Sequence, residues 1–200
     1  SHDRRLDRNS GHRASAGHQL NESIRNRRLR AVLAGHYNDK STARRLLDDS
    51  EPTVRGAAIG ALHRIGGLDS ATIRRLLEDP DAAVRARAVD VAIEHPALDL
   101  VPLLLDHDNR VVAAAAFALG ERDDDPTTVP ALRVVAAEHT DELCKESAVA
   151  ALSALAAHPD AEHESIITTL LAALEERPPI RRRAIIGLHQ FDQERAAAAV

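Results

Sequence analysis

The stretch from Asp79 to His95 is the unit that the rest of the chain repeats, and it constrains the fold more than any other feature. Its apolar residues Val84, Ala88, Val89 and Ala92 are spaced 0, 4, 5 and 8, which gathers them on one side of an α-helix of about 3.6 residues per turn. Asp79 offers an N-cap acceptor and Pro80 the first helical position, where a missing N–H costs nothing. One such helix has no means of covering its own stripe, so neighbours with the same pattern must cover it. The Val84 position recurs as Ile24, Val54, Val111, Cys144 and Ile180. Four residues on stand Arg28, Ala58, Ala115, Ala148 and Ala184, and eight on stand Val32, Leu62, Leu119, Leu152 and Leu188.

Before each of these helices except the first lies a second apolar run: Ala43 to Leu47, Ile73 to Leu77, Leu98 to Leu105, Val129 to Ala136 and Ile166 to Leu174. Each is entered near a candidate cap, Ser41, Ser70, Asp99, Thr127 or Asp160, so helix pairs joined by short turns are expected. Pro102 falls inside its run, and the first helix of that pair should start late. With two Phe, one Tyr and no Trp, the core is left to Ala, Leu, Val and Ile, which suits close helix packing. Three segments follow: a basic arm over 1–20 with low intrinsic order, a repeat array over 21–191, and the truncated start of a further helix over 192–200. The sequence contains no Met, as expected of a piece of a longer protein.

The run from Leu76 to Val89, echoed from Leu46 to Ile59, resembles HEAT repeats, specifically the short HEAT-like class named after phycobilisome lyase subunits. The resemblance covers about residues 21–191 and implies an all-α fold, an α-α superhelix or HEAT-like solenoid of about five helical-hairpin repeats. It also implies that the second helix of each hairpin lines a concave surface. For function it implies little, because such folds serve as scaffolds, adaptors, nucleic-acid binders and a few enzymes.

Counting steps from the Val84 position at about 100° per residue, the apolar columns at steps 0, 4, 5 and 8 span an arc from 0° to 140°. Arg55, Arg85, Lys145 and Arg181 stand at step 1, inside that arc. Their stems are expected to pack on apolar neighbours while their heads meet an inter-helix Asp such as Asp49, Asp79 or Asp106, the ladder that HEAT resemblance implies. Val112 breaks the column, which leaves Asp106 as a candidate without its cation. Steps 2, 3, 6, 9 and 10 fall on the open side. Their residues in the middle of the array are small and apolar around Phe117, flanked by Ile93 and Ile186. Phe117, Ile93, Ile186, His63, Arg87, Asp90, Glu121 and His189 are therefore the expected partner-binding residues, forming a trough for a helix or an extended peptide.

Sequence motifs for chemistry are missing. The eleven His are spread along the chain without a His-Glu-x-x-His pair, so no metal site is expected. Cys144 sits in the core column and reads as a small hydrophobe. No Walker loop, Gly-x-Gly-x-x-Gly or Gly-x-Ser-x-Gly elbow occurs, and neither a catalytic residue nor a cofactor is expected. Residues 1–30 carry eight Arg against Asp3, Asp7 and Glu22, whereas the whole chain carries −5. The leading expectation is a non-catalytic scaffold or adaptor that binds a protein or peptide on its concave face. The alternative is a nucleic-acid-associated protein using Arg5, Arg8, Arg13 and Arg25 to Arg30, although an acidic body without Trp supplies neither the electrostatic nor the stacking term. A lyase-type enzyme is the third reading. No run approaches a membrane span and no leader opens the chain, so a cytoplasmic protein is expected.

Overall fold

The computed structural model describes the backbone of residues 23–122 and 125–198, and the side chains of these as far as Phe191. It divides into two compact units, Ser1–Asp69 and Ser70–Val200. Among the described residues every regular element is helical. In the first unit, residues 23–36 form α1, followed by the hairpin of α2 (Lys40–Leu46) and α3 (Pro52–Arg64). The second unit opens with the hairpin of α4 (Ser70–Leu77) and α5 (Ala82–Ala92). A 3-10 turn (Val101–Leu105) then pairs with α6 (Asn109–Glu121), and α7 (Val129–Glu138) with α8 (Glu142–Leu155). The last hairpin is α9 (His163–Ala172) and α10 (Pro178–Ala198). Successive second helices pack on one another, α5 on α6, α6 on α8 and α8 on α10, so this is the all-α, HEAT-like stacking of hairpins that the repeat demands.

The repeat columns form the core. Val54, Val84, Val111, Cys144 and Ile180 at step 0, and Ala58, Ala88, Ala115, Ala148 and Ala184 at step 4, are all buried. The buried arc is wider than the sequence indicates, because Ala61, Val91, Ala118, Ala151 and Gly187 at step 7 are buried too. Pro102 has the expected effect: the first helix of the third hairpin starts late, at Val101, and shrinks to a single 3-10 turn.

Three local expectations are corrected. Asp81, not Asp79, caps α5, accepting from the N–H of Ala83 and Val84, and Pro80 lies ahead of the helix. Asp79 is drawn off because its Oδ1 accepts from the N–H of Asp81 at 2.9 Å and shapes the turn. In α1 the register is not set by Ile24, Arg28 and Val32, since Arg28 and Val32 are exposed while Ala31, Ala34 and Gly35 are buried. Arg27 makes the ladder bond to Asp49 at 2.8 Å, and a Cβ on Gly35 would fall 2.9 Å from Ala61 Cα. These contacts place Asn26 at step 0. Finally, α10 runs unbroken from Pro178 to Ala198, so residues 192–198 extend α10 instead of starting a further helix. The basic arm over 1–20 lies outside the described residues.

Where its rungs are seen within a unit, the cation ladder points forward, from a second helix to the loop of the next hairpin. Arg85 donates through Nε and Nη2 to both oxygens of Asp106 at 2.7 Å, and Lys145 donates to Glu176. Arg85 also donates through Nη1 to the carbonyl oxygen of Asp79 at 2.8 Å, tying its own loop. Asp106 is therefore not left without a cation when Val112 breaks the column, because its partner comes from the hairpin before. The loop that Val112 would have reached carries His139 where the others carry Asp49, Asp79 and Asp106. His139 Nδ1 accepts from the N–H of Asp141 at 3.0 Å, reproducing the bond that Asp106 Oδ1 accepts from Asp108 at 2.9 Å. The missing cation is thus matched by a missing anion, and no buried charge is orphaned.

Hydrogen bonding from Arg85, opposed by desolvation, holds the Asp106 carboxyl below its ordinary value. A carboxyl lowered in the folded state stabilises fully above about pH 4 and loses that contribution as pH falls further. Asp106→Asn should cost about 1–3 kcal/mol at neutral pH and shrink the acid-induced fall in melting temperature. An undiminished fall in the variant would mean that another group carries the acid sensitivity. At the broken rung, Val112→Arg buries a cation and His139→Asp adds an unpaired carboxylate, so each alone should destabilise. Together they should recover about 0.5–3 kcal/mol as coupling in a urea-unfolding cycle, and strict additivity would show that the two positions do not face each other.

Candidate functional site

Close helix contact in the second unit depends on small residues at two recurring positions. A Cβ on Gly120 of α6, at step 9, would lie 2.6 Å from Ala151 Cα of α8, at step 7. One on Gly187 of α10, at step 7, would clash with Ser153 of α8, at step 9, whose hydroxyl instead donates to the Val149 carbonyl oxygen at 2.9 Å. Step 9 therefore belongs to the helix interface, and Gly120 and Ser153 are buried rather than facing the open side. Drawing the backbones together leaves a shallow trough of about 300 Å³ along the outer face of α6 and α8.

The trough has a small-residue floor, Gly120, Ala150, Ala151 and Ala154, with Phe117 and Leu143 beside it. Phe117 is 52% exposed and Leu143 57%. Its rims are polar: Glu121, Ser147, and Glu146, whose Oε1 accepts from Arg183 Nε of α10 at 3.1 Å. The result is an apolar slot with charged edges.

Of the eight expected partner-binding residues, Phe117 and Glu121 line this trough. Ile186 and His189 are exposed on α10, and Ile93 is half-buried at the C-cap of α5, outside it. Arg87 and Asp90 are exposed on α5 and form an ion pair at 3.1 Å. His63 is exposed on α3 in the first unit. Sequence reasoning passed over Leu143, which stands one residue before the core column. At about 260° it shares a face with steps 6 and 10, a position hidden by starting the count at step 0.

The other candidates for chemistry resolve into structure. Cys144 is fully buried, its thiol donates to the Asn109 carbonyl oxygen at 3.2 Å, and burial pushes its pKa up to about 12, so no thiolate nucleophile forms near neutrality. Among the described residues no group of three or more His, Cys, Asp or Glu is placed to hold a metal ion. His163 packs edge-on against Phe191 with ring centroids 5.4 Å apart and lies 3.1 Å from the His158 carbonyl oxygen. Arg5, Arg8 and Arg13 lie outside the described residues. Arg25, Arg28 and Arg30 are exposed on α1, whereas Arg27 is held by Asp49. No described helix is long and apolar enough to cross a membrane.

The close approach under the trough gives a direct check. Gly120→Ala should destabilise by about 1–3 kcal/mol in urea unfolding, although alanine is the better helix former by about 1 kcal/mol, because the new methyl meets backbone. Gly56→Ala on α3, where a Cβ would meet nothing within 4 Å, should leave stability unchanged or raise it. A stabilising Gly120→Ala would mean that α6 and α8 stand further apart than described.

No curated protein matches the chain. Residues 70–153, from α4 through most of α8, match the family model described as HEAT repeats, and the second unit is therefore similar to the HEAT-like repeat family in both sequence and fold.

Proposed function

We propose that the chain is a non-catalytic helical-repeat scaffold or adaptor that binds a protein or peptide segment along its second helices, the face that HEAT-like stacking makes concave, with the trough beside Phe117 as its anchor point. The observation that carries this reading is the half-exposed Phe117 standing over a floor of Gly and Ala. A large aromatic ring kept in water next to a slot of this size is the arrangement of an interface anchor, since such rings dominate binding energy once desolvated. The charged rims, Glu121 on one side and the Glu146–Arg183 pair on the other, supply orientation for a partner segment and discourage unspecific apolar contacts. HEAT-type repeats recur in proteins whose work is recognition, and the family match over residues 70–153 fits that role.

Phe117→Arg tests the reading, because the side chain is exposed enough to change without disturbing the core. With circular dichroism and melting temperature unchanged, a partner recovered with the parent chain should bind at least about tenfold more weakly, a loss of about 1.4 kcal/mol. Undiminished binding by a folded variant would remove the trough from the interface.

A further inference from the structure

The trough along α6 and α8 carries a charge that the fold does not answer. Among its lining residues Glu121 and Glu146 are acidic and Arg183 is basic. Glu146 accepts from Arg183 at 3.1 Å, whereas Glu121 enters no ion pair among the described residues. The neighbouring Arg122 is turned elsewhere, since its guanidinium donates to the carbonyl oxygens of Ala92, His95 and Leu98. Glu121 is also the last residue of α6, where the helix dipole disfavours a carboxylate and favours a cation. The stability of the helix therefore gives no reason for an acid at this place.

Position supplies a reason. Phe117 and Glu121 are four residues apart on α6, so they share a face, with the carboxylate about 6 Å further along the axis than the ring. Ala150 and Ala154 repeat that spacing on α8 and floor the slot. A side chain lying along this floor from Phe117 toward Glu121 meets apolar surface first and a negative charge last. Lysine and arginine carry their groups in that order, an apolar stem of about 6 Å and then a cation. The ring adds a second attraction, because the face of an aromatic side chain draws a cation. A purely aliphatic side chain would leave the carboxylate unused, and an acidic one, or a nucleic-acid phosphate, would be repelled by it. We propose that the trough takes a lysine or arginine side chain from a protein segment, its stem packed over Ala150 and Ala154 beside Phe117 and its cationic head paired with Glu121. This rests on the scaffold reading above and names the chemistry of the segment bound. Glu146, already held by Arg183, shapes the other rim and does not compete for the cation.

Random short peptides displayed on phage, selected on the full chain and counter-selected on Phe117→Ala, which removes the ring without adding charge, report what the trough accepts. Sequences kept by the parent and lost by the folded variant should share a Lys or Arg. A synthetic peptide of such a sequence should bind the parent less tightly as salt is raised, and Glu121→Lys, shown by circular dichroism to be folded, should weaken it at least about tenfold. Replacing the shared basic residue of the peptide by Glu should reverse the preference, so that Glu121→Lys binds it more tightly than the parent does. Glu121→Gln, which removes the charge alone, serves where the lysine disturbs the fold. Phe117-dependent sequences without a shared basic residue, or binding indifferent to salt and to the charge at Glu121, would overturn the proposal while leaving the trough as an apolar anchor. A selection yielding no Phe117-dependent sequence would overturn the proposal and the anchor together.

Discussion

Contact between small side chains on adjacent second helices is what the stacking depends on. Gly35 against Ala61, Gly120 against Ala151 and Ser153 against Gly187 each bring helices so close that an added methyl would meet a neighbour at under 3 Å. The ion-pair ladder, by contrast, is absent at one level without loss of stacking: α6 carries Val112 in place of a cation, yet α6 and α8 pack closely. That ordering agrees with magnitudes, because a partly exposed ion pair contributes about 1 kcal/mol while burying a Val or Leu contributes about 1.5–3. The ladder adds direction, fixing which loop each helix faces, more than it adds cohesion.

The same small residues shape the outer face. Helices drawn together by glycine and alanine on their shared side leave no deep cleft between them, so a groove on the open side is shallow and floored by whatever small residues remain, here Ala150 and Ala154. Larger residues at its edge, Phe117 and Leu143, then stand proud of the surface. Core packing and the form of the open face are in this way two results of one choice of side-chain size along α6 and α8.

How much of this could be seen in the chain beforehand follows from what periodicity measures. The columns at steps 0 and 4 were legible because every full repeat buries them, and step 8 is buried in all but the last, where Leu188 is half-buried. Periodicity says nothing of whether a residue faces its own hairpin or the next, and so step 9 was assigned to the open side until Gly120 and Ser153 proved to be interface. In α1 an apolar Ile24 stood where the pattern asked for one, but the register was set by Arg27 and Gly35 instead. Two carboxylates two residues apart, Asp79 and Asp81, offered equivalent caps by composition. Only the competing demand of the turn on Asp79 separates them. Leu143 lay before the first column and outside the count, which is why the trough was only half foreseen.

The loop carboxylate performs two tasks that substitution has pulled apart. Asp106 both accepts the N–H two residues on and receives Arg85, whereas His139 keeps the first task through Nδ1 and has no cation to receive from Val112. The turn therefore survives without charge, and α6 becomes free to be apolar at step 1. It is accordingly buried at Val111, Val112, Ala113, Ala115, Ala116, Ala118, Leu119 and Gly120. On a helix so enclosed, leaving Phe117 half in water forgoes on the order of 1–2 kcal/mol of burial that its neighbours all obtain. The stacking does not require a ring there, since step 6 is Gly60 on α3, Asp90 on α5, Ala150 on α8 and Ile186 on α10. The aromatic side chain is thus surplus to the fold at a place where the open face offers a slot beside it.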